Sequence, residues 1–399
     1  MHEMVGEFNR AHPDILVKDR AVKSTERFFN NYNILIRQLL CSLAIKSLHG
    51  IPPLCPPQDI MDPPDVSQVY ENWTTQLIES NSLVPMQKFF SGPESFTGKD
   101  VADLVPSFRQ SNTYRGKIWT LPFNKSIYVL YYNKKHFQEA RLTPPRTWDE
   151  FSKAAKKLTL RNSAREITRY GFVFQPSVDI FGILLYSRGG DYIKGKQVTF
   201  HGKEGIESLQ YLTDLVGKHQ AATPSYDAAK DFQEGKASMY IETTSKRVGL
   251  DRSAQLSYGI APLPAGKKEV CLFAGTNLAI FSHSSPEVQK AAWTFVRWLI
   301  TPENTTRWAE KTGYVPVRSS AIASKSYRQY LARDPRGKVA VETVRKARMD
   351  PRIGAWETMR GLVSDAVYKA VKERSHSPKS LLVETAAQCQ RLILNTAIP

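Results

Sequence analysis

The most informative stretch of this sequence is GKIWTLPFNKSIYVLYYN, residues Gly116 to Asn133. It contains two runs rich in β-branched and aromatic residues, Ile118–Phe123 and Tyr128–Tyr132, and between them the polar triplet Asn124–Ser126. Runs of this composition are typical of strands, and a short polar group is typical of an interruption. We therefore predict two strands separated by a polar break.

Helices are expected on both sides of this stretch. Thr147 and Glu150 have the spacing of an N-terminal capping box, and apolar residues recur at helical spacing from Phe151 to Leu158. Throughout the chain, helical patterns alternate with short strand-like runs, which indicates an α/β fold with a mainly parallel sheet. The other expected elements are a helix around Met4–Phe8, a strand around Ile15–Val17, a strand over Val66–Val69, and helices from Pro286, from Pro302 to a stop at Gly313, over Met359–Val371 and from Pro378 onward.

Length and charge restrict the function. The 399 residues are enough for two domains with separate cores. The chain has 55 basic and 38 acidic residues, a net charge of +17, which favours anionic partners. The basic residues are spread along the chain without a nucleic-acid-binding signature, so we do not expect nucleic acid as a partner. An anionic small ligand would need only a few of these charges.

The sequence offers no sign of an enzyme, a metal or a cofactor. It contains no phosphate-binding loop, no G-x-S-x-G elbow and no H-E-x-x-H motif, and its eight histidines are scattered. The four cysteines form no C-x-x-C pair. In an exported protein Cys41 and Cys55 could form a local bridge. The alternative is buried free thiols, and Cys271 and Cys389 both lie in apolar runs.

A binding protein is better supported. The residues Tyr70-Glu71-Asn72-Trp73 combine a carboxylate, an amide and aromatic rings, which are the groups that hold a sugar or polyol. They follow the strand expected at Val66–Val69. Open α/β sheets usually place their ligand contacts at the carboxyl ends of strands, so we expect these side chains at a binding site.

Several segments resemble bacterial solute-binding proteins, the receptors of ABC importers for carbohydrates and glycerol phosphate. Besides the stretch Gly116–Asn133, they are PPDVSQVYENW (Pro63–Trp73), FAGTNLAIF (Phe273–Phe281), TPENTTRWAEKTGYVPVRSSA (Thr301–Ala321) and RIGAWETMR (Arg352–Arg360). They occur in the order found in that family. Within the family they are most similar to the glycerol-3-phosphate receptors.

The resemblance implies a two-lobe periplasmic-binding-protein-like fold of type II, in which the chain crosses three times between the lobes. Lobe one would comprise residues 1–130 plus 274–316, without the opening strand of the family, and lobe two residues 131–273 plus 317–399. A few residues at each crossing would act as a hinge. The expected crossings are Leu130–Asn133, Phe273–Thr276 and Val315–Arg318.

The same resemblance implies a receptor that closes on glycerol-3-phosphate or a related glycerophosphodiester and presents it to a membrane permease. The alternative ligand is a mono- or oligosaccharide; an envelope sensor or an enzyme on this fold are further alternatives. We expect a monomer in the periplasm or anchored to the cell envelope. The N-terminus lacks the order of a signal peptide, and no apolar run is long enough to span a membrane, so we favour a truncated chain or a misplaced start.

Family likeness also implies ligand contacts. Tyr70 and Glu71 would lie in the cleft, with Glu71 accepting hydroxyl protons. Asn124 and Ser126 would hydrogen-bond from the predicted strand break. Lys125 either adds a charge for an anion or points to solvent.

The remaining implied contacts come from later segments. The residues Glu242-Thr243-Thr244-Ser245, with Thr244 and Ser245 as ligand contacts, match a serine-rich stretch of the family and either open a helix that receives an anion or simply cap it. Gly275 would allow close backbone approach at a crossing. Tyr314 would supply its ring and hydroxyl or belong to the core. Arg352 would clamp a phosphate with its planar fork, or lie at the surface.

Residues 41–64 depart from the family. The segment CSLAIKSLHGIPPLCPPQDIMDPP is rich in proline, which cannot continue a helix or a central strand. We interpret it as a loop inserted near the rim of the cleft, with an altered gene as the alternative.

Overall fold

The structure is a computed structural model that describes residues 1–19, 64–92, 95–374 and 376–396. Cys41, Cys55 and almost all of the insertion at 41–64 lie outside the described residues. The strands in the described part are β1 (Val66–Tyr70), β2 (Thr113–Tyr114), β3 (Lys117–Ile118), β4 (Leu121–Asn133), β5 (Leu160–Arg161), β6 (Ile167–Phe174), β7 (Ile193–Lys194), β8 (Gln197–Val198), β9 (Ala222–Pro224), β10 (Ala237–Thr243), β11 (Tyr258–Ala261), β12 (Cys271–Ile280) and β13 (Ala347–Arg348).

Helices pack around these strands, and short 3₁₀ turns include Met86–Phe89 and Thr244–Lys246. The α-helices described are α1 (His2–Ala11), α2 (Glu71–Glu79), α3 (Gly98–Asp103), α4 (Pro106–Ser111), α5 (Lys134–Glu139), α6 (Trp148–Leu158), α7 (Val178–Ser187), α8 (Lys203–Thr213), α9 (Ala228–Gln233), α10 (Arg247–Leu250), α11 (Pro286–Leu299), α12 (Pro302–Thr312), α13 (Ser319–Ile322), α14 (Lys325–Arg333), α15 (Lys338–Thr343), α16 (Trp356–Tyr368) and α17 (Pro378–Thr396).

A nine-stranded sheet forms the centre of the molecule, with the main order β1-β12-β4-β10-β6-β5. Strand β12 runs antiparallel to β1 and β4, and β4 runs antiparallel to β10. Parallel pairing is found between β10 and β6, β6 and β9, and β12 and β13. The α/β class is as expected, but the prediction of a mainly parallel sheet is wrong, because most of the strand pairs described in this sheet are antiparallel.

Strand β4 corrects the prediction of a polar break. It is one continuous strand of 13 residues, and Asn124–Ser126 lie inside it. Its first half pairs with β12 as far as Ile127, and its second half pairs with β10 and β11 from Tyr128 onward. Because both halves find partners on the sheet, the polar triplet stays extended.

The predicted helices are present. Thr147 Oγ1 accepts a hydrogen bond from the Glu150 amide at 3.1 Å, which is one half of a capping box. The Glu150 carboxylate accepts from the Arg146 amide instead of the Thr147 amide, so the other half is not formed. Gly313 ends α12 with φ at +74°.

No strand forms at Ile15–Val17, so that prediction is wrong. The Asn9 side chain of α1 instead bonds both backbone groups of Val17, each at 2.9 Å. Those groups are therefore satisfied locally rather than by a neighbouring strand.

Two of the three segments predicted to cross between lobes, Phe273–Thr276 and Val315–Arg318, lie against β4 near Lys125, whereas Leu130–Asn133 pairs with β10 and β11. Ser126 of β4 is paired with Ala274 of β12, and the Val315 amide donates to the Lys125 carbonyl oxygen at 2.7 Å. This adjacency brings residues far apart in sequence to one place. The lobe boundaries themselves stay a prediction.

Cys271 and Cys389 are free and buried, as the apolar runs around them indicated. Burial raises the pKa of the Cys271 thiol to about 12 and that of Cys389 to about 11, so both stay protonated at neutral pH. None of the described helices is both long enough and apolar enough to span a membrane.

Candidate functional site

A buried ion pair joins Glu71 and Lys125. Glu71 begins α2 directly after β1, and its Oε1 lies 2.7 Å from Lys125 Nζ, whose side chain is only 1% exposed. Lys125 therefore does not point to solvent, and the Glu71 carboxylate compensates its positive charge. An interior ammonium group requires such a partner. The Glu71 side chain is 16% exposed, so it is less completely buried than that of Lys125.

Asn124 is held by protein groups on both sides. Its Nδ2 donates to Gln68 Oε1 at 2.6 Å, and Trp308 Nε1 donates to its Oδ1 at 2.6 Å. The amide thus fixes β4 against β1 and α12. Ser126, two residues along β4, is 1% exposed. Direct contact of either residue with a ligand stays a prediction.

Tyr70, Tyr314 and Ser245 lie together although they belong to three separate segments. Burial raises the pKa of Tyr314, the nearby Tyr70 adds to this rise, and a hydrogen bond with Ser245 opposes it. Thr244 is 2% exposed, and its hydroxyl has no hydrogen-bond partner among the described residues. The stretch forms a 3₁₀ turn that leads into the short helix α10.

Gly275 of β12 lies where this strand closely approaches its neighbour β4. Its φ is +98°, and a Cβ added there would be 1.6 Å from the Asn124 carbonyl oxygen. Only glycine allows the backbones of β12 and β4 to approach so closely. The expected close backbone approach is present, and the lobe crossing at this position stays a prediction.

Arg352 contacts backbone carbonyls of a distant segment. Its guanidinium donates to the carbonyl oxygens of Thr113 and Gln110. Burial lowers the pKa of Arg352, and the carboxylate of Glu71 opposes this shift. Arg352 is half-buried and lies near Glu71. The phosphate clamp stays a prediction.

A second arginine, which the sequence reasoning did not select, forms the strongest charge cluster of the site. Arg360 on α16 donates to both carboxylate oxygens of Asp179 at 2.9 and 3.0 Å and to Asp350 at 2.9 Å. Burial raises the pKa of Asp350. The charge of Arg360 opposes this rise, but Arg360 also pairs with Asp179, whose negative charge adds to the rise. Two carboxylates and one cation leave the cluster with a negative excess when all are ionised.

The corner between β1 and α2 meets the start of α16. Asn72 donates a hydrogen bond to the Glu357 carboxylate. Burial raises the pKa of Tyr70, and the charge of Arg360 opposes this rise. Residues 70–72 and 352–360 therefore face each other, together with the strands that carry Ser126 and Gly275. The convergence of Glu71, Ser126, Gly275, Tyr314 and Arg352 on one cleft stays a prediction.

Most of the chain matches one family. Residues 57–335 match the sequence model of the family described as bacterial extracellular solute-binding protein. This chain belongs to that solute-binding protein family. No group of three or more His, Cys, Asp or Glu side chains in the described ranges is arranged to hold a metal ion.

Curated relatives of this solute-binding protein share about a quarter of its residues. The sn-glycerol-3-phosphate-binding periplasmic protein UgpB of Salmonella typhimurium is 24% identical over 298 residues. UgpB of Yersinia pseudotuberculosis is 25% identical over 301 residues. Each match covers 69% of this chain and 66% of the relative, so the chain spans just under two thirds of their length.

Solved structures share the fold. UgpB from Mycobacterium tuberculosis in complex with glycerophosphocholine has a TM-score of 0.82 and 23% identity, covering 100% of this chain and 95% of that one. The GacH receptor of Streptomyces glaucescens has a TM-score of 0.80 and 20% identity, covering 99% and 94%. Maltose-bound MalE3 of T. maritima has a TM-score of 0.80 and 21% identity, covering 98% and 95%. The predicted two-lobe fold of the solute-binding protein is confirmed.

Proposed function

We propose that this solute-binding protein is the receptor component of an ABC importer and that it binds a glycerophosphodiester by closure of two lobes. The observation that carries the proposal is the buried Glu71–Lys125 pair at the end of β1, with Arg352 near Glu71 and Tyr314 near Tyr70. Such a set supplies a hydroxyl acceptor, aromatic rings and a bidentate donor. The names of the relatives, which bind glycerol-3-phosphate or glycerophosphocholine, support the same ligand class.

The charges of the cleft favour a diester over a phosphate monoester. Lys125 is paired with Glu71, Arg360 with its two aspartates, and Arg352 with backbone carbonyls. A dianionic monoester would have to compete with carboxylates for Lys125 and Arg360 and with backbone carbonyls for Arg352. A diester carries only one negative charge, and it can have a compensating positive charge of its own. Its burial therefore costs less.

In this proposal the Glu71 carboxylate accepts hydrogen bonds from the glycerol hydroxyls. The tyrosine rings would cover the apolar face of the glycerol, and the serine hydroxyls would bond the phosphate oxygens. The full set of proposed contacts is Tyr70, Glu71, Asn124, Ser126, Thr244, Ser245, Gly275, Tyr314 and Arg352.

A neutral sugar is the second candidate ligand. Lys125 is already paired with Glu71, and Arg360 with Asp179. An uncharged ligand would disturb neither pair, which favours a neutral sugar. We also propose that the protein acts as a monomer outside the cytoplasmic membrane and delivers its ligand to a permease. The family description and the periplasmic relatives support this location.

A thermal-shift panel tests the proposed ligand class. Glycerophosphocholine at a hundredfold excess over its dissociation constant should stabilise the fold by about 2.7 kcal/mol, because the ligand binds only the folded state. Glycerol-3-phosphate should have a smaller effect at equal concentration. Sodium phosphate serves as the control for ionic strength. Stabilisation by maltose alone would contradict the proposal and favour the sugar receptor.

Arg352→Ala should weaken glycerophosphocholine binding by roughly tenfold or more, mainly through faster dissociation. In this proposal the substitution removes the guanidinium that contacts the phosphate, and the loss of one hydrogen bond to a charged group costs about 1.5–3 kcal/mol. Stopped-flow titration measures both rates. The control Arg348→Ala removes an exposed arginine and should leave affinity within about twofold. Equal behaviour of the two variants would contradict the assignment of Arg352.

A further inference from the structure

Basic side chains from separate segments lie near β5, the last strand in the main order of the sheet. Lys156 and Lys157 lie in the last turn of α6, Arg161 lies in β5, Arg165 lies between β5 and β6, and Lys218 ends the helical turn that follows α8. All five residues are exposed. We call them the basic surface. None of them is among the proposed ligand contacts.

Arg161 joins two of these segments. Its guanidinium donates to Gln220 Oε1 at 2.6 Å and to the Arg165 carbonyl oxygen at 2.8 Å. Gln220 follows Lys218 by two residues. The turn after β5 and the segment after α8 are therefore adjacent, and they bring their charges to one place.

His219 connects the third segment to this group. Burial lowers the pKa of the His219 imidazole, and the positive charges of Lys156 and Lys218 lower it further. The carboxylate of Asp214 acts in the opposite direction. Lysines from two distant segments thus act on one side chain, which places the end of α6 next to the segment after α8.

Carboxylates do not neutralise the basic surface. Within the described part of the chain, none of its five residues forms an ion pair. Arg169 in the adjacent β6, by contrast, pairs with Glu139 at 3.4 Å. The Glu166 carboxylate, next to Arg165 in sequence, accepts from Asn162 at 2.9 Å. The positive charges therefore face solvent and remain available to an anionic partner.

An exposed apolar side chain adjoins these charges. Leu160, which precedes Arg161 in β5, is 45% exposed. A soluble polyanion offers no contact for a leucine, whereas the boundary between headgroups and acyl chains of a bilayer accepts one. Clustered lysines and arginines beside an exposed leucine are the groups that an anionic bilayer attracts.

We propose that the basic surface binds the anionic headgroups of a phospholipid bilayer and holds the protein against the membrane on this face. Each Lys or Arg close to the headgroups should strengthen the binding by about fivefold. The net charge of +17 favours the approach of the whole chain to such a bilayer. Because the basic surface is separate from the proposed ligand contacts, vesicle binding does not depend on which ligand the cleft takes.

Co-sedimentation with lipid vesicles tests the basic surface. The wild-type chain should bind vesicles of phosphatidylglycerol and phosphatidylcholine in equal parts, and this binding should be lost at high salt. Vesicles of phosphatidylcholine alone should not bind. The triple variant Lys156→Gln, Lys157→Gln and Lys218→Gln should weaken binding by about a hundredfold, because it removes three of the charges.

A second triple variant controls for net charge. Lys99→Gln, Lys290→Gln and Lys325→Gln remove the same number of charges from exposed residues of α3, α11 and α14. These residues are not part of the basic surface, so this variant should weaken binding by less than about fivefold. Urea unfolding should show the same stability for both variants, since all six lysines are exposed.

Equal weakening by the two triple variants would overturn the proposal, since net charge alone would then explain the binding. Binding to dextran sulfate without binding to vesicles would also overturn it and would assign the surface to a soluble polyanion. Leu160→Ser should weaken vesicle binding and leave dextran sulfate binding unchanged. A wild-type chain that binds vesicles but no glycerophosphodiester would contradict the proposed function and leave the membrane surface standing.

Discussion

Replacing Arg360 with methionine is expected to lower the free energy of unfolding by about 3 kcal/mol. The substitution leaves Asp179 and Asp350 without the cation that they share. Breaking a buried ion pair from one side is costly because the opposite charge stays buried. The Arg360 side chain is 24% exposed, so the expected loss lies at the lower end of the usual range.

Urea unfolding followed by circular dichroism measures this loss. Arg348→Met is the matched control, because Arg348 makes one ion pair with Asp191 at 2.7 Å but is 43% exposed. An exposed pair contributes at most about 1 kcal/mol. Should Arg360→Met be no more destabilising than this control, the Arg360 cluster would not be an essential part of the site.

Gly275→Ala is expected to lower the free energy of unfolding by more than about 3 kcal/mol or to prevent folding. The new Cβ would meet the Asn124 carbonyl oxygen at 1.6 Å, and the residue has φ at +98°. Strands β4 and β12 would have to separate at this position. Because the clash is with backbone, no side-chain movement can relieve it.

The same urea experiment includes Gly361→Ala as a control. Gly361 lies in α16, and an added Cβ would meet no atom within 4 Å. Alanine is a better helix former, so this variant should be more stable by up to about 1 kcal/mol. Comparable stability of the two variants would contradict the close strand approach at Gly275.

Local signals in the sequence predicted much of the fold. Ser285 and Pro286 begin α11, and Thr301 and Gly313 bound α12, because caps depend on residues a few positions apart. The break predicted at Asn124–Ser126 was wrong because the conformation there depends on residues that are distant in sequence. Pairing of β4 with distant strands overrides the local polarity, and a window of ten residues cannot contain that information.

In the candidate site, too, local signals identified some residues, and only the fold shows the others. Glu71 was predicted from its place at the end of a strand, but its partner Lys125 is 54 positions away. Arg352 and Arg360 belong to one segment, and the sequence favoured the first as the anion ligand. Only the packing of α16 shows that the second arginine meets Asp179, which is 181 positions earlier. Charge pairing over such separations depends on the completed fold.

Calorimetric titration of the purified wild-type chain with glycerophosphocholine and with maltose tests the central claim most directly. The proposed receptor should bind one glycerophosphocholine per chain and show no measurable heat with maltose under the same conditions. A single strong site for maltose without glycerophosphocholine binding would contradict the account and assign the cleft to a sugar.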